Sequence, residues 1–382
     1  MYIEKIKIDK FRVLEDIEIQ FQAPQSATAD RETGNVVNVI AGVNGTGKTS
    51  LLEALFSAIS NPYNYFSVKK NGVLNIFPFG EINKDTWRVL QDKISDFNQK
   101  HNNIAFSYNE PRIIFLPSQQ NFKYKALTQL GNNYMFLNKI EIDKILGAAE
   151  FYIKEYILSA VIDSSIADPQ QRMEQAVNSF NDKFLNANLL TRLSRLSKEQ
   201  FNRPLFKNAL GQEVTIDLLS DGEKQLYGRV ISLMILNPHN SMILIDEPEI
   251  SLHPAWQQKI IQIYSKIGRN NQFIVATHSP QIIASVPYQN RILLRKEQNK
   301  IIPIHLNQPP SGLDVNTILS EIMGASPIPS EIVDLHRQYR ALVENKKEQS
   351  PEALAIRQKL SEESEHSQFM QEMNFLIDLR DL

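Results

Sequence analysis

Gly42-Val43-Asn44-Gly45-Thr46-Gly47-Lys48-Thr49 constrains this chain more than any other stretch. Two glycines separated by four residues, then Lys and Thr, form the phosphate-binding loop pattern. The context agrees: residues 35–40 read as a buried strand and residues 49–60 as a helix. Glycine permits the tight backbone that turns successive N–H groups toward an anion. The helix N-terminus adds partial positive charge at the same place. Lys48 can reach terminal phosphates, and the Thr49 hydroxyl can ligate Mg²⁺. Asn44, Gly45, Gly47, Lys48, Thr49 and Ser50 are therefore the expected nucleotide-binding set.

At 382 residues the chain can hold one large domain with insertions, or two domains. Its 41 basic and 43 acidic side chains balance to a net charge of −2, which does not advertise nucleic-acid binding, although a local basic patch is compatible with it. The absence of cysteine excludes disulfides, thiolate zinc sites and a cysteine nucleophile. It suits a reducing cytoplasm. Residues 2–8 alternate charged and apolar from the start, which is no signal-peptide pattern. No apolar run approaches the roughly 20 residues of a membrane span. A cytoplasmic protein without a membrane partner is expected.

Residues 2–8 and 14–22 read as strands, and residues 113–116 as a short buried strand ended by Pro117. Residues 139–166 and 170–198 read as two helices broken around Asp168-Pro169, without the sustained heptad of a coiled-coil arm. Strand and helix alternate from 214 to 296, which implies a parallel sheet with crossover helices. Residues 61–110 carry no clear periodicity.

Three further motifs follow the loop. Met242-Ile243-Leu244-Ile245-Asp246-Glu247 is an apolar strand ending in two carboxylates, at the strand end where open α/β sheets bind ligands. Asp246 suits the Mg²⁺ shell and Glu247 suits activation of a water. Leu219-Ser220-Asp221-Gly222-Glu223 is either an anion-binding helix start or an ordinary capping box of Ser220 with Glu223, and both can hold together. Ala276-Thr277-His278-Ser279 places a histidine at another strand end, where it serves either as a structural hydrogen-bonder or at the terminal phosphate.

This ordered set, with Asp246-Glu247-Pro248-Glu249 continuing through Leu252-His253-Pro254, resembles the ABC-type ATPases of the SMC, RecF and OLD branch. The likeness covers residues 1–60 and 210–296. It implies an α/β fold: an ABC-type P-loop ATPase head, with a helical insertion and a helical C-terminal tail. The expected domains are residues 1–60 and 210–305 as the head, 61–209 as an inserted mixed or helical subdomain, and 306–382 as the helical C-terminal region. The resemblance implies ATP and Mg²⁺ as cofactors, and a homodimer, or a higher oligomer built from dimers, that sandwiches two ATP molecules. It assigns Lys48 and Thr49 to phosphate and metal, Asp246 to Mg²⁺, Glu247 to catalysis and His278 to the γ-phosphate. Ser220 and Gly222 would contact ATP held by the other protomer. Gln119 or Gln120 would be the Mg²⁺-sensing glutamine. Arg12 is either a nucleotide-contacting residue or a surface arginine at a strand end.

Asp221 stands where transporters usually have glycine, and His253-Pro254 replaces a transporter-like aspartate. Both features argue against a transporter subunit. OLD-type nucleases append a metal-dependent nuclease with an Asp-x-Asp pair. The roughly 85 residues after Lys296 show no such pair with a sheet-forming pattern. Three helical stripes are expected there, starting near residues 312, 330 and 350, which either pack on the head or dock a partner. The segment 312–319 resembles the ATPases of Septu and retron anti-phage systems. The implied function is a defence ATPase that controls a separately encoded effector, a nuclease. The alternatives are a RecF- or SMC-like repair ATPase that binds DNA, with RNA also open as a ligand, and, further off, a transporter subunit.

Overall fold

Three fully buried strands form the centre of the molecule. In this computed structural model they are β3 (Val36–Ala41), β10 (Met242–Asp246) and β11 (Gln272–Thr277). The structure describes residues 2–60, 66–70, 73–77, 113–118, 149–184, 189, 191–198, 202–298, 300–306, 316, 318–326, 328–364 and 367–379. Strands covered on both faces need near-continuous apolar runs, which these have apart from the buried Asn38 and the polar residues Asp246, Gln272 and Thr277 at strand ends. With β6 (Ile113–Leu116), β12 (Arg291–Glu297) and β13 (Lys300–His305) they make a six-stranded sheet in the order β13-β12-β3-β11-β10-β6. All its pairings are parallel except β12 with β13. The segment 61–209, expected as an insertion, thus contributes β6 to the edge of the main sheet.

A second sheet is built on the hairpin of β1 (Lys5–Phe11) and β2 (Leu14–Gln20). Period-two alternation buries Ile6 and Ile8 of β1 and Ile17 and Ile19 of β2. Leu14, three residues before Ile17, is buried beyond a break in that alternation at Asp16, whose φ is 53°. β5 (Val73–Phe77) pairs parallel with β1, and β4 (Phe66–Lys70) pairs with β5. The buried side chains of the hairpin pack with the main sheet and with Leu51, Leu52, Ala54 and Leu55 of α1 (Lys48–Ser60) in one apolar core. Each large side chain so covered contributes about 1.5–3 kcal/mol. Two buried amides stitch the sheets together. Gln272 Nε2 donates to the carbonyls of Ile3 and Gln22 at 2.8 and 2.9 Å, and its Oε1 accepts from Ile3 N at 2.9 Å. Asn38 Oδ1 accepts from Gln22 N at 2.8 Å while its Nδ2 donates to Gln22 O at 3.0 Å.

The helical region holds α2 (Ala149–Ile162) and α3 (Pro169–Asp182). Asp168 caps α3 by accepting from Gln170 N at 2.8 Å, with Pro169 at the first helical position. Both helices end earlier than expected, at Ile162 and Asp182; residues 139–148 lie outside the described residues. Residues 192–196 are not helical. They form β7 (Arg192–Leu196), antiparallel to β8 (Pro204–Lys207), which pairs with β9 (Glu213–Val214). A register shift between Leu193 and Arg195 is the reason the spacing misleads. A bulge places two residues against one, so Leu193 and Leu196, three apart, are both buried, as on a helix.

The helix α4 (Asp221–Leu236) joins this region through Tyr227. The Tyr227 ring lies 4.8–6.0 Å from those of Phe180, Phe184 and Phe206, and its hydroxyl donates to Thr191 O at 3.0 Å. The crossover helices α5 (Pro254–Ser265) and α6 (Pro280–Ala284) follow β10 and β11.

Residues 316–382 form a separate compact unit. After a π turn at Ile318–Ile322 come α7 (Ser330–Glu344), α8 (Pro351–Ser364) and α9 (Gln368–Asp378). Ser350 and Ser367 cap the last two, accepting from Ala353 N and Met370 N at 3.2 Å each. The apolar stripes bury one another: Tyr339, Val343, Ala353, Ile356, Leu360, Met370 and Met373 are one core. Leu354, Phe375 and Leu379 stay exposed. Residues 312–315, where the first stripe was expected to begin, lie outside the described residues.

Candidate nucleotide site

β3 delivers the chain to the phosphate loop, and three glycines shape it. Gly45 and Gly47 have φ of 81° and 86°, a region that disfavours side chains. A Cβ on Gly47 would sit 2.7 Å from Leu14 Cδ2, so the β1–β2 hairpin lies directly against the loop. Asn44 and Gly45 form the exposed crest, while Ser50 is half-buried in the first turn of α1. Lys48 is buried at the start of α1. Its Nζ donates to the carbonyls of Gly42 and Val43 at 2.9 and 3.2 Å and faces His278 Nδ1 at 3.3 Å. Burial lowers the Lys48 pKa, against the raising pull of Glu247, Asp246 and Glu249.

Asp246, 2% exposed, ends β10 beside that helix start. Thr49 Oγ1 donates to its two oxygens at 3.2 and 3.1 Å. Burial, with repulsion from Glu247 and Glu249, pushes the Asp246 pKa up to about 6, against hydrogen bonds from Thr49 and Ser118. A buried carboxylate with a surplus of negative neighbours and a hydroxyl at its side fits a hard divalent cation. Among the described residues no group of three or more His, Cys, Asp or Glu forms a metal cage. One carboxylate and one hydroxyl suit Mg²⁺, which keeps waters and takes substrate phosphates as its other ligands. Gln119 and Gln120 lie outside the described residues, but Ser118 just before them reaches Asp246.

Glu247 adopts a left-handed φ of 45°, and its N–H donates to Ala276 O at 2.9 Å. The turn separates its side chain from that of Asp246. His278 Nε2 lies 3.2 Å from Glu247 Oε1. Lys48 has only donors to offer, so His278 Nδ1 accepts from it and Nε2 carries the proton toward Glu247. Lys48, His278 and Glu247 thus form one hydrogen-bonded chain across the ends of β3, β11 and β10.

Glu249, which the motif Asp246-Glu247-Pro248-Glu249 contains without a stated role, holds the histidine turn. Its Oε1 accepts from Thr277 Oγ1 at 2.7 Å, His278 N at 2.6 Å and Ser279 N at 3.1 Å. The available signal was a third acid within four residues of a buried strand, more than a surface turn needs.

Ser220 and Gly222 are grouped with the turn after Glu247. Ser220 Oγ accepts from Glu223 N at 3.3 Å and Glu223 Oε2 accepts from Ser220 N at 3.1 Å, so the capping box is real. A Cβ on Gly222 would lie 2.4 Å from Ser251 O. Arg12, at the tip of the hairpin, has a φ of 54° and pairs with Glu53 of α1. It therefore stands beside the phosphate loop with an exposed side chain.

The family model described as "AAA domain, putative AbiEii toxin, Type IV TA system" matches residues 84–284, and that of the "AAA ATPase domain" matches residues 1–107. The "Retron Ec83 probable ATPase" of Escherichia coli is 32% identical over 157 residues, covering 38% of this chain and 28% of that protein. The matched stretch spans less than a third of each of two such retron relatives. The Septu protein PtuA of Bacillus thuringiensis is 21% identical over 363 residues, covering 85% of this chain and 84% of that protein. The SMC head domain from Thermotoga maritima aligns with a TM-score of 0.43 at 15% identity, covering 81% of this chain and 100% of that one. With a family model covering more than half its length and the phosphate loop, acidic strand and histidine turn assembled at one sheet end, this chain belongs to the AAA-domain family of the AbiEii description, with the motif order of an ABC-type ATPase.

Proposed function

We propose that the chain binds and hydrolyses ATP with Mg²⁺, and that two copies close on the nucleotide to control a separate effector, a nuclease, in anti-phage defence. The hydrogen-bonded chain Lys48–His278–Glu247 carries the catalytic part of this reading. The names of the Septu and retron relatives support the defence setting.

Lys48 would leave the loop carbonyls for terminal phosphate oxygens, while N–H groups at the start of α1 take the adjacent phosphate. Thr49 and Asp246 would hold Mg²⁺, which offsets phosphate charge when bound. Glu247 accepts a proton from the attacking water as its oxygen bonds to the γ-phosphorus and the bond to ADP breaks. His278 Nε2–H orients the Glu247 carboxylate for that transfer. Ser220 and Gly222 would meet nucleotide held by the second copy.

The test is phosphate release with Mg²⁺ and ATP, beside a separate measurement of ATP affinity. Glu247→Gln should keep affinity and slow turnover by roughly 10²–10⁴-fold, the usual worth of a general base. Undiminished turnover in that variant would remove Glu247 from its role.

A further inference from the structure

We propose that Glu249 is the positioning residue for His278: one of its oxygens gathers the 277–279 turn and thereby sets the imidazole between Lys48 and Glu247. This inference rests on the ATP-hydrolysis reading above.

The geometry is specific. Glu249 Oε1 takes three donors from three consecutive residues, at 2.7, 2.6 and 3.1 Å. Thr277 Oγ1 is itself held in the turn, accepting from Ser279 N at 2.9 Å. The main chain on both sides of His278 is thus tied to one acceptor. The imidazole then reaches Lys48 with one nitrogen and Glu247 with the other, at 3.3 and 3.2 Å. Glu249 and Glu247 lie two residues apart on one turn, so the clamp sets the histidine relative to the carboxylate it addresses. Among the described residues the buried Glu249 Oε2 has no hydrogen-bond partner. An acceptor-only side chain gathers several donors without offering a competing proton.

Glu249→Gln separates a positioning role from the two that need a carboxylate. A positioning acceptor needs an oxygen at Oε1, which a glutamine amide supplies. A proton acceptor or a metal ligand needs the carboxylate itself. Glu249→Gln should therefore turn over ATP within about threefold of the native chain, whereas Glu249→Ala should fall as far as His278→Ala, by roughly 10–100-fold. The loss should lie in kcat with KM for ATP little changed. The double variant Glu249→Ala/His278→Ala should be no slower than His278→Ala alone, because the two act as one unit. Should Glu249→Ala fail to fold, Thr277→Val removes one of the three bonds and should give a smaller loss of the same kind.

An activity-independent readout separates this inference from the ATPase reading. Imidazole ¹⁵N spectra, with His278 assigned by its deletion, should show the proton on Nε2 in the native chain and in Glu249→Gln. That preference should be lost in Glu249→Ala. A native chain that releases no phosphate would end the ATPase reading, and the spectra would still decide the role of Glu249. A Glu249→Gln variant as slow as Glu249→Ala, multiplicative losses in the double variant, or an unchanged tautomer in Glu249→Ala would each overturn the inference.

Discussion

Gly222 and Ser251 touch so closely that a single added methyl carbon on Gly222 would stand 2.4 Å from the Ser251 carbonyl oxygen. Ser251 has a φ of 62° and belongs to the turn that begins at Glu247. The first turn of α4 therefore packs directly on the turn carrying the proposed general base. Gln225, one helical turn further along α4, donates to Ser251 Oγ at 3.4 Å and reinforces the same contact.

Gly222→Ala should push these elements apart. Alanine gains about 1 kcal/mol in helix propensity over glycine, while a clash with backbone costs about 1–3 kcal/mol. We expect a net loss of stability together with reduced hydrolysis, read by denaturant unfolding and phosphate release on the same preparation. A more stable variant with full turnover would show that the contact yields at no cost.

Ser220 separates the cap from the interface. Ser220→Ala should cost about 1 kcal/mol through the lost cap. Ser220→Arg should also block ATP-driven association, measured by sedimentation in the slow Glu247→Gln background, while leaving ATP affinity of the single chain nearly intact. Normal ATP-dependent association of Ser220→Arg would reduce the motif to a helix cap.

The folded-state pKa of Asp246, pushed up to about 6 by burial, predicts a pH signature. An unfolded aspartate titrates near 3.9. Below that pH both states hold the proton and Asp246 costs nothing. As pH rises through the window from about 4 to about 6, the unfolded chain ionises first and stability falls. Above the window the cost levels off at up to about 3 kcal/mol, at 1.36 kcal/mol per pKa unit. Asp246→Asn should stabilise the Mg²⁺-free chain at pH 7–8, with the gain fading below the window, and should abolish hydrolysis. Urea unfolding at pH 4, 6 and 8 measures it. A variant less stable than the native chain at pH 8 would contradict the assigned burial cost.

Deletion of residues 316–382 should preserve hydrolysis and abolish co-purification of an effector. The three tail helices share an apolar core of their own. ATPase assays and pull-down from the host, run on the same truncated chain, give the two answers separately. Loss of ATPase activity on truncation would assign the tail to the head instead.

The phosphate loop, the acidic strand and the histidine turn were legible because each combines an apolar strand with polar residues at its end. The capping box of Ser220 with Glu223 was legible as a local signal, and Asp168-Pro169 was legible as a helix break, its cap on Gln170 N being a finding of the structure. Residues 192–196 were misread because a bulge imitates helical spacing, and a bulge leaves no mark in composition. Glu249 was missed because its partners, Thr277, His278 and Ser279, lie 28 to 30 residues away. The mutual burial of the tail stripes was equally hidden, since an apolar stripe does not name what covers it.

The Gln272 amide has a consequence for how the molecule comes into being. It bonds to Ile3 across 269 residues of sequence, and the hairpin it anchors is what fills the space beside Gly47. Contacts of such separation form late, because the intervening chain must first be ordered. The phosphate loop should therefore acquire its shape near the end of refolding. The return of nucleotide affinity during refolding would then time completion of the whole head, although every residue of the loop itself lies within an eight-residue stretch.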